Sequence, residues 1–284
     1  MFDNLERSLT VAGSIEEALA ARKQGAAILA GGTWLMRDER RGLTLPQAFV
    51  SLHAVPGLKA IDIEDHQITI GAAVTHEVLG KLLAGIAGLE AVTAAATGAA
   101  NPAIRRVATV GGNLCTTDFA AADLLPALLA IDAIVELQAD HVPLCLPIAS
   151  FLANRRDLLA GAILTRVILC RDNLASAHAR LPLRRAGDYP VAIVSVALTA
   201  ERQIRIAVGS VEHVARRWTT LEEAFSAERD GRPASGEIAA SLAAQCNDFE
   251  GRDGIEADGW YRRQVLPALV RRSMEALLQE DAAR

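Results

Sequence analysis

The sequence predicts an α+β protein of two or three packed units. Three observations lead there. Half of the 284 residues are apolar, enough for more than one core. Short strand-like runs that end in glycine pairs, at residues 26–30 and 106–110, are mixed with helical segments. In the last third of the chain, strand-like runs are followed by helices instead of alternating with them, which is the α+β pattern.

Taken in order, Ser14 is placed to cap a helix, with Glu17 three residues on. Ile15, Ala18, Leu19 and Arg22 then follow at helical spacing up to Gly25. A short buried-type strand, 26–30, runs straight into Gly31-Gly32-Thr33. Residues 49–52 and 58–63 are strands separated by Pro56-Gly57, and 67–73 alternates as another. Thr75 with Glu77 opens a helix, and the alanine-rich stretch 85–100 is a second that must stop before Pro102. The run 106–110 is expected to be β and to meet Gly111-Gly112-Asn113, with a helix at 124–131.

Residues 134–138 are strand-like, while 142–146 with Pro147 and the PIASFL segment predict a loop and a short helix. Residues 161–170 alternate as a strand, and Asp172-Asn173 marks a boundary within 171–177. After a polar loop at 184–190 come strands at 191–198 and 204–209. Helices are expected at 221–231, at 235–246 and from about 261 to 279.

Composition excludes several functions. A net charge of −5 with scattered basic residues gives no footprint for nucleic acid. Cys115, Cys145, Cys170 and Cys246 are far apart, with no CxxC pair and no histidine at ligand spacing, so no zinc or iron–sulfur site is expected. Cys115 is expected to be a small buried residue. The first residues lack a signal-type apolar core, so a cytoplasmic setting is the expectation.

The two glycine pairs carry the chemistry. Each follows a strand-like run and leaves main-chain N–H groups uncovered by side chains, with Thr33 or Thr109 beside it. Such loops suit an anion, and two of them suit a diphosphate held from two sides. A lone Gly-Gly pair is equally a tight turn. There is no GxGxxG turn, no Gly-Lys-Ser/Thr loop and no GxSxG elbow, so a diphosphate-bearing redox cofactor held without metal is what remains.

Four segments, LAGGTWLM, NPAIRRVATVGGNLCTTDFAAADLLPALLAIDA, RRAGDYPVAIVSVAL and YRRQVLPALVRRSMEAL, are similar in order and spacing to the FAD-binding (medium) subunit of the xanthine dehydrogenase and carbon monoxide dehydrogenase family of molybdenum hydroxylases. The resemblance covers essentially the whole chain. It implies an FAD-binding domain at 1–174, of the vanillyl-alcohol oxidase-like (PCMH) type with subdomains at about 1–54 and 55–174. A C-terminal α+β domain of the CO dehydrogenase flavoprotein type would occupy 175–284. By the same resemblance Leu29, Ala30, Gly31, Gly32, Thr33, Trp34 and Leu35 match the first FAD diphosphate loop. Thr109, Gly111, Gly112 and Asn113 match the second. Asp123 matches the acidic residue that meets the sugar-like part of FAD, with Asp118 competing. Leu164 matches a strand position touching the flavin, and Asp188-Tyr189 a segment near the isoalloxazine.

The chain departs from the family pattern at Trp34, where relatives carry a small or acidic residue, and at Phe119, where they carry proline. The basic residue some relatives place beside the flavin has no clean counterpart; Arg180 and Arg184 are both near that place. Asp123 also has a plain alternative as the N-cap of the 124–131 helix, and Tyr189-Pro190 as a turn. The implied function is an electron-transfer flavoprotein subunit, with a large molybdopterin subunit and a small [2Fe–2S] subunit as partners in a heterotrimer or a dimer of heterotrimers. A self-sufficient flavin oxidoreductase and a cofactor-free scaffold are the alternatives.

Overall fold

The structure is a computed structural model that describes residues 7–38, 42–139, 142–184, 188–228, 232–233 and 235–283. Three sheets, each with its own apolar cluster, follow one another along the chain.

The first is a parallel sheet of β1 (Ser8–Val11), β2 (Ala27–Leu29) and β3 (Ala48–Ser51), with β3 in the middle. Helix α1 (Ile15–Lys23) crosses from β1 to β2. Its start is fixed as the sequence predicts. Ser14 Oγ accepts the Glu17 N–H at 3.2 Å, and Glu17 Oε2 accepts the Gly13 N–H at 2.7 Å. Ala18, Leu19 and Val50 are buried between helix and sheet.

The second sheet is antiparallel, in the order β4 (Ile61–Ile63), β5 (Gln67–Gly71), β8 (Ile163–Cys170), β6 (Ile134–Ala139) and β7 (Val142–Pro147). Its helices are α2 (His76–Leu82), α3 (Glu90–Gly98), α4 (Pro102–Arg105), α5 (Val110–Cys115), α6 (Leu124–Ala130) and α7 (Ile148–Gly161). The third sheet is antiparallel, in the order β12 (Arg216–Arg217), β11 (Ile204–Gly209), β10 (Pro190–Thr199) and β9 (Asn173–Pro182). Helices α8 (Thr219–Ser226), α9 (Gly236–Gln245), α10 (Gly259–Gln264) and α11 (Leu266–Ala282) complete it. Leu269, Val270 and Met274 of α11 pack with Val194 and Val196 on one side of β10, whereas Ala197 joins the cluster that holds α3 and α6. With both faces covered, β10 is buried along all ten residues, which is why its sequence is an unbroken apolar run.

Several expectations are corrected. The 106–110 run is not a strand. Asn101 Oδ1 accepts the Ile104 N–H and Pro102 sits at the first helical position, so the chain turns through α4, and only Thr109 bridges to Thr75. Residues 142–147 form an edge strand, where Pro143 and Pro147 are tolerated, and α7 is a helix of 14 residues, not a short one. Strand β9, which the sequence reading did not predict, begins at Asn173. Its inward residues are Ala175, Ala177 and Ala179, which carry little β signal. The strand expected at 58–63 is shorter, and the last helix is divided at Val265 ahead of Pro267. Arg185, Ala186 and Gly187 of the polar loop, and 229–231 of the helix expected at 221–231, lie outside the described residues.

Candidate functional site

The end of β2, the α4–α5 segment, the C-terminal part of α7 with β8, and the β9–β10 connection enclose a cavity of about 1440 Å³. That exceeds the roughly 300–1,000 Å³ of ordinary small-molecule pockets and suits a large ligand.

The two glycine loops meet in its wall. A Cβ added at Gly31 would overlap the Val107 carbonyl, so only glycine lets the first loop lie against the segment leading to the second. Gly32 follows with φ +66°, and Leu29 backs it: its Cδ1 lies 3.2 Å from where a Gly32 Cβ would be. No backbone or side-chain acceptor among the described residues takes the N–H groups of Gly31, Gly32 or Thr33. These three, with Ala30, Trp34 and Leu35, line the cavity; Leu29 stands behind them.

The second loop works differently from expectation. Its four leading N–H groups are already bonded inside the protein. Val110 donates to Val74 O at 2.9 Å, Gly111 to Ala72 O at 2.8 Å, Gly112 to Thr109 Oγ1 at 3.0 Å and Asn113 to Thr109 O at 2.9 Å. Gly111 is needed because a Cβ there would sit 2.8 Å from that of Ala72. Thr109, Gly111, Gly112 and Asn113 all line the cavity, and the free polar atom among them is Asn113 Oδ1, which is buried and has no partner among the described residues.

Asp123 lies under the same cavity and is buried. It makes no side-chain cap, so the N-cap alternative fails. Instead Arg180 Nε donates to Asp123 Oδ1 at 2.8 Å, and Arg180 Nη2 to the Asp188 carbonyl at 2.8 Å. Arg180 therefore ties the acidic group to the Asp188-Tyr189 segment. Arg184 reaches Asp188 Oδ2 at 3.1 Å but is mostly exposed. Leu164 of β8 is buried and lines the far wall.

The two unusual residues explain each other. Trp34 and Phe119 pack with ring centroids 4.4 Å apart, and Tyr189 meets Phe119 at 5.4 Å and Trp34 at 6.2 Å, both edge-on. Trp34 Nε1 donates to Asp118 Oδ1 at 3.0 Å, which turns that carboxylate to the rim. Arg37 lies over the Trp34 and Tyr189 rings at 5.7 and 5.4 Å and donates to the Tyr189 hydroxyl. Burial pushes the Cys115 thiol up to about 12, so it is not a nucleophile.

Sequence reading missed His76, Arg37 and Arg105. Burial lowers His76 to about 4, with Asp123 opposing that shift and Arg105 adding to it. Only the helix start at Thr75 pointed near His76, and nothing in the local pattern distinguished Arg37 or Arg105 from surface residues.

With this geometry in hand, the comparisons are specific. Residues 4–171 match the family described as the FAD binding domain in molybdopterin dehydrogenase. The chain belongs to this family. It is thus an FAD-binding oxidoreductase subunit of the xanthine dehydrogenase type. The 6-hydroxypseudooxynicotine dehydrogenase complex subunit alpha of Paenarthrobacter nicotinovorans is 29% identical over 94% of this chain and 93% of its own length. The nicotine 6-hydroxylase medium subunit of the same organism is 28% identical over 92% and 93%. A putative xanthine dehydrogenase FAD-binding subunit of Escherichia coli K12 is 34% identical over 53% and 52%. In fold, the chain is similar to quinoline 2-oxidoreductase from Pseudomonas putida 86, with a TM-score of 0.85, 23% identity and coverage of 97% and 98%. It is also similar to carbon monoxide dehydrogenase from Hydrogenophaga pseudoflava, at 0.83, 20%, 97% and 98%. No helix among the described residues is long and apolar enough to cross a membrane.

Proposed function

We propose that this FAD-binding chain is the electron-transfer subunit of a cytoplasmic molybdenum hydroxylase complex, taking electrons from the [2Fe–2S] clusters of a small subunit and passing them to NAD+, a quinone, oxygen or another acceptor. The substrate would be oxidised at a molybdopterin centre in a large subunit. The observation that carries the reading is the set of uncovered N–H groups at Gly31, Gly32 and Thr33, beside a cavity of a volume that can take a dinucleotide. The division at about residues 54 and 174 and the PCMH-type subdomains belong to the same proposal.

In this reading the three N–H dipoles hold the diphosphate. Asn113 Oδ1 accepts from a donor of the cofactor, and Thr109 keeps α5 in place beside it. Asp123, fixed by Arg180, meets the sugar-like chain, while Leu164 gives an apolar contact. Asp188 and Tyr189, with Trp34 and Phe119, cover the ring end and exclude water. Bound FAD supplies the redox chemistry, exchanging one electron or two according to its partner. The side chains hold, orient and shield.

Co-purification with the natural partners tests the proposal. It predicts FAD, iron and molybdenum in one complex, with the flavin bleached on adding the organic substrate. A flavin-loaded chain that oxidises substrate alone would favour the self-sufficient oxidoreductase, and a complex without FAD would favour the scaffold.

A further inference from the structure

His76 opens α2 directly after the Thr75 cap, and its N–H donates to the Ala108 carbonyl at 3.0 Å. That bond ties α2 to the stretch between the two glycine loops. The side chain lines the cavity although the residue is 2% exposed, and its Nε2 has no partner among the described residues. A buried imidazole nitrogen with no partner is costly, and such groups call for a ligand or water.

The neighbours define what that ligand offers. Asp123 also lines the cavity and is close enough to His76 to oppose its shift; Arg180 donates to Asp123 Oδ1, His178 Nε2 stands 3.7 Å from that oxygen, and no described group donates to Oδ2. The nearby cations are occupied. Arg105 donates to the Ala99 and Ala100 carbonyls at 3.1 and 2.7 Å, and Arg180 is shared between Asp123 and Asp188. A carboxylate beside a neutral imidazole repels phosphate and welcomes hydroxyl groups, which can donate to both.

We propose that His76 binds the ribityl hydroxyls of FAD, forming with Asp123 a polyol-reading corner of the site. The inference rests on the FAD reading above. Polyol chemistry occurs twice in FAD, in the ribityl chain and in the adenosine ribose. Position favours the ribityl chain. Asp123 is joined through Arg180 to the Asp188-Tyr189 segment, and His76 is bonded to Ala108, next to the Val107 carbonyl against which Gly31 lies, so the corner joins the proposed ring end to the proposed diphosphate loop.

Titration of the flavin-stripped chain by quenching of flavin fluorescence tests this without turnover. His76→Leu is expected to weaken FAD binding about ten-fold, the size of one lost hydrogen bond, and His76→Gln to recover most of it. An FAD analogue lacking the ribityl hydroxyls should bind His76→Leu and the unaltered chain alike. An analogue lacking the adenosine ribose hydroxyls should still show the ten-fold gap. Thermal unfolding checks each variant, and His76→Asn, polar but shorter, carries the same comparison if the Leu variant does not fold. Equal binding of FAD by the Leu variant and the unaltered chain overturns the inference alone, as does a gap that follows the ribose hydroxyls. Failure of the unaltered chain to bind FAD overturns the functional reading as well.

Discussion

At the residue scale, Gly31 and Asp123 are the positions where one change matters most. Gly31→Val places side-chain carbon on the Val107 carbonyl, so the first loop must leave the second. The expected result is loss of flavin absorbance from the purified chain, with stability lowered by about 1–3 kcal/mol. Asp123→Asn removes the charged partner of the partly buried Arg180 and should cost roughly 3 kcal/mol in urea denaturation, since a cation is left without its counter-charge. His76 adds a pH signature. Its value of about 4 in the folded chain lies below the ordinary 6.5, so it contributes stability above pH 6.5 that is lost as pH falls toward 4. The FAD-free chain should lose roughly 3 kcal/mol across that window in denaturation at a series of pH values, and His76→Gln should lose less. The glycine pairs were legible because they break the strand pattern. That Gly111 and Gly112 spend their N–H groups on Ala72 and Thr109 was not, because the sequence does not say which carbonyl a chain will meet.

At the element scale, legibility followed the strength of local signals. Helix α1 was readable from Ser14 and Glu17, because a cap bonds within four residues of itself. Strand β9 was not, because its face toward α11 is alanine and its existence depends on pairing with β10. Residues 106–110 misled in the opposite way: β-branched residues stood where a cap and a proline had already set a turn. Trp34 and Phe119 were legible only as oddities, and their stacking across two loops supplies the reason. A double-mutant cycle with Trp34→Ala and Phe119→Ala should give a coupling of about 0.5–1.5 kcal/mol in thermal unfolding of the chain. A coupling near zero would mean that the two rings do not share a contact in solution.

At the scale of the whole molecule, the cavity wall draws on all three sheets. The first gives the uncovered N–H groups at the end of β2, the second gives Asn113, Asp123 and Leu164, and the third gives Arg180 and Tyr189. This assembly explains why no single segment announced the site and why four separated motifs together did. In the proposed reading the chain holds a redox cofactor and presents it, while a metal centre in a partner subunit does the oxidation. The measurement that tests this most directly is the flavin content of the chain purified with its partners. One FAD per chain, lost in Gly31→Val while the chain remains folded, is the predicted result. A folded chain free of flavin, or flavin retained undiminished in Gly31→Val, would contradict it.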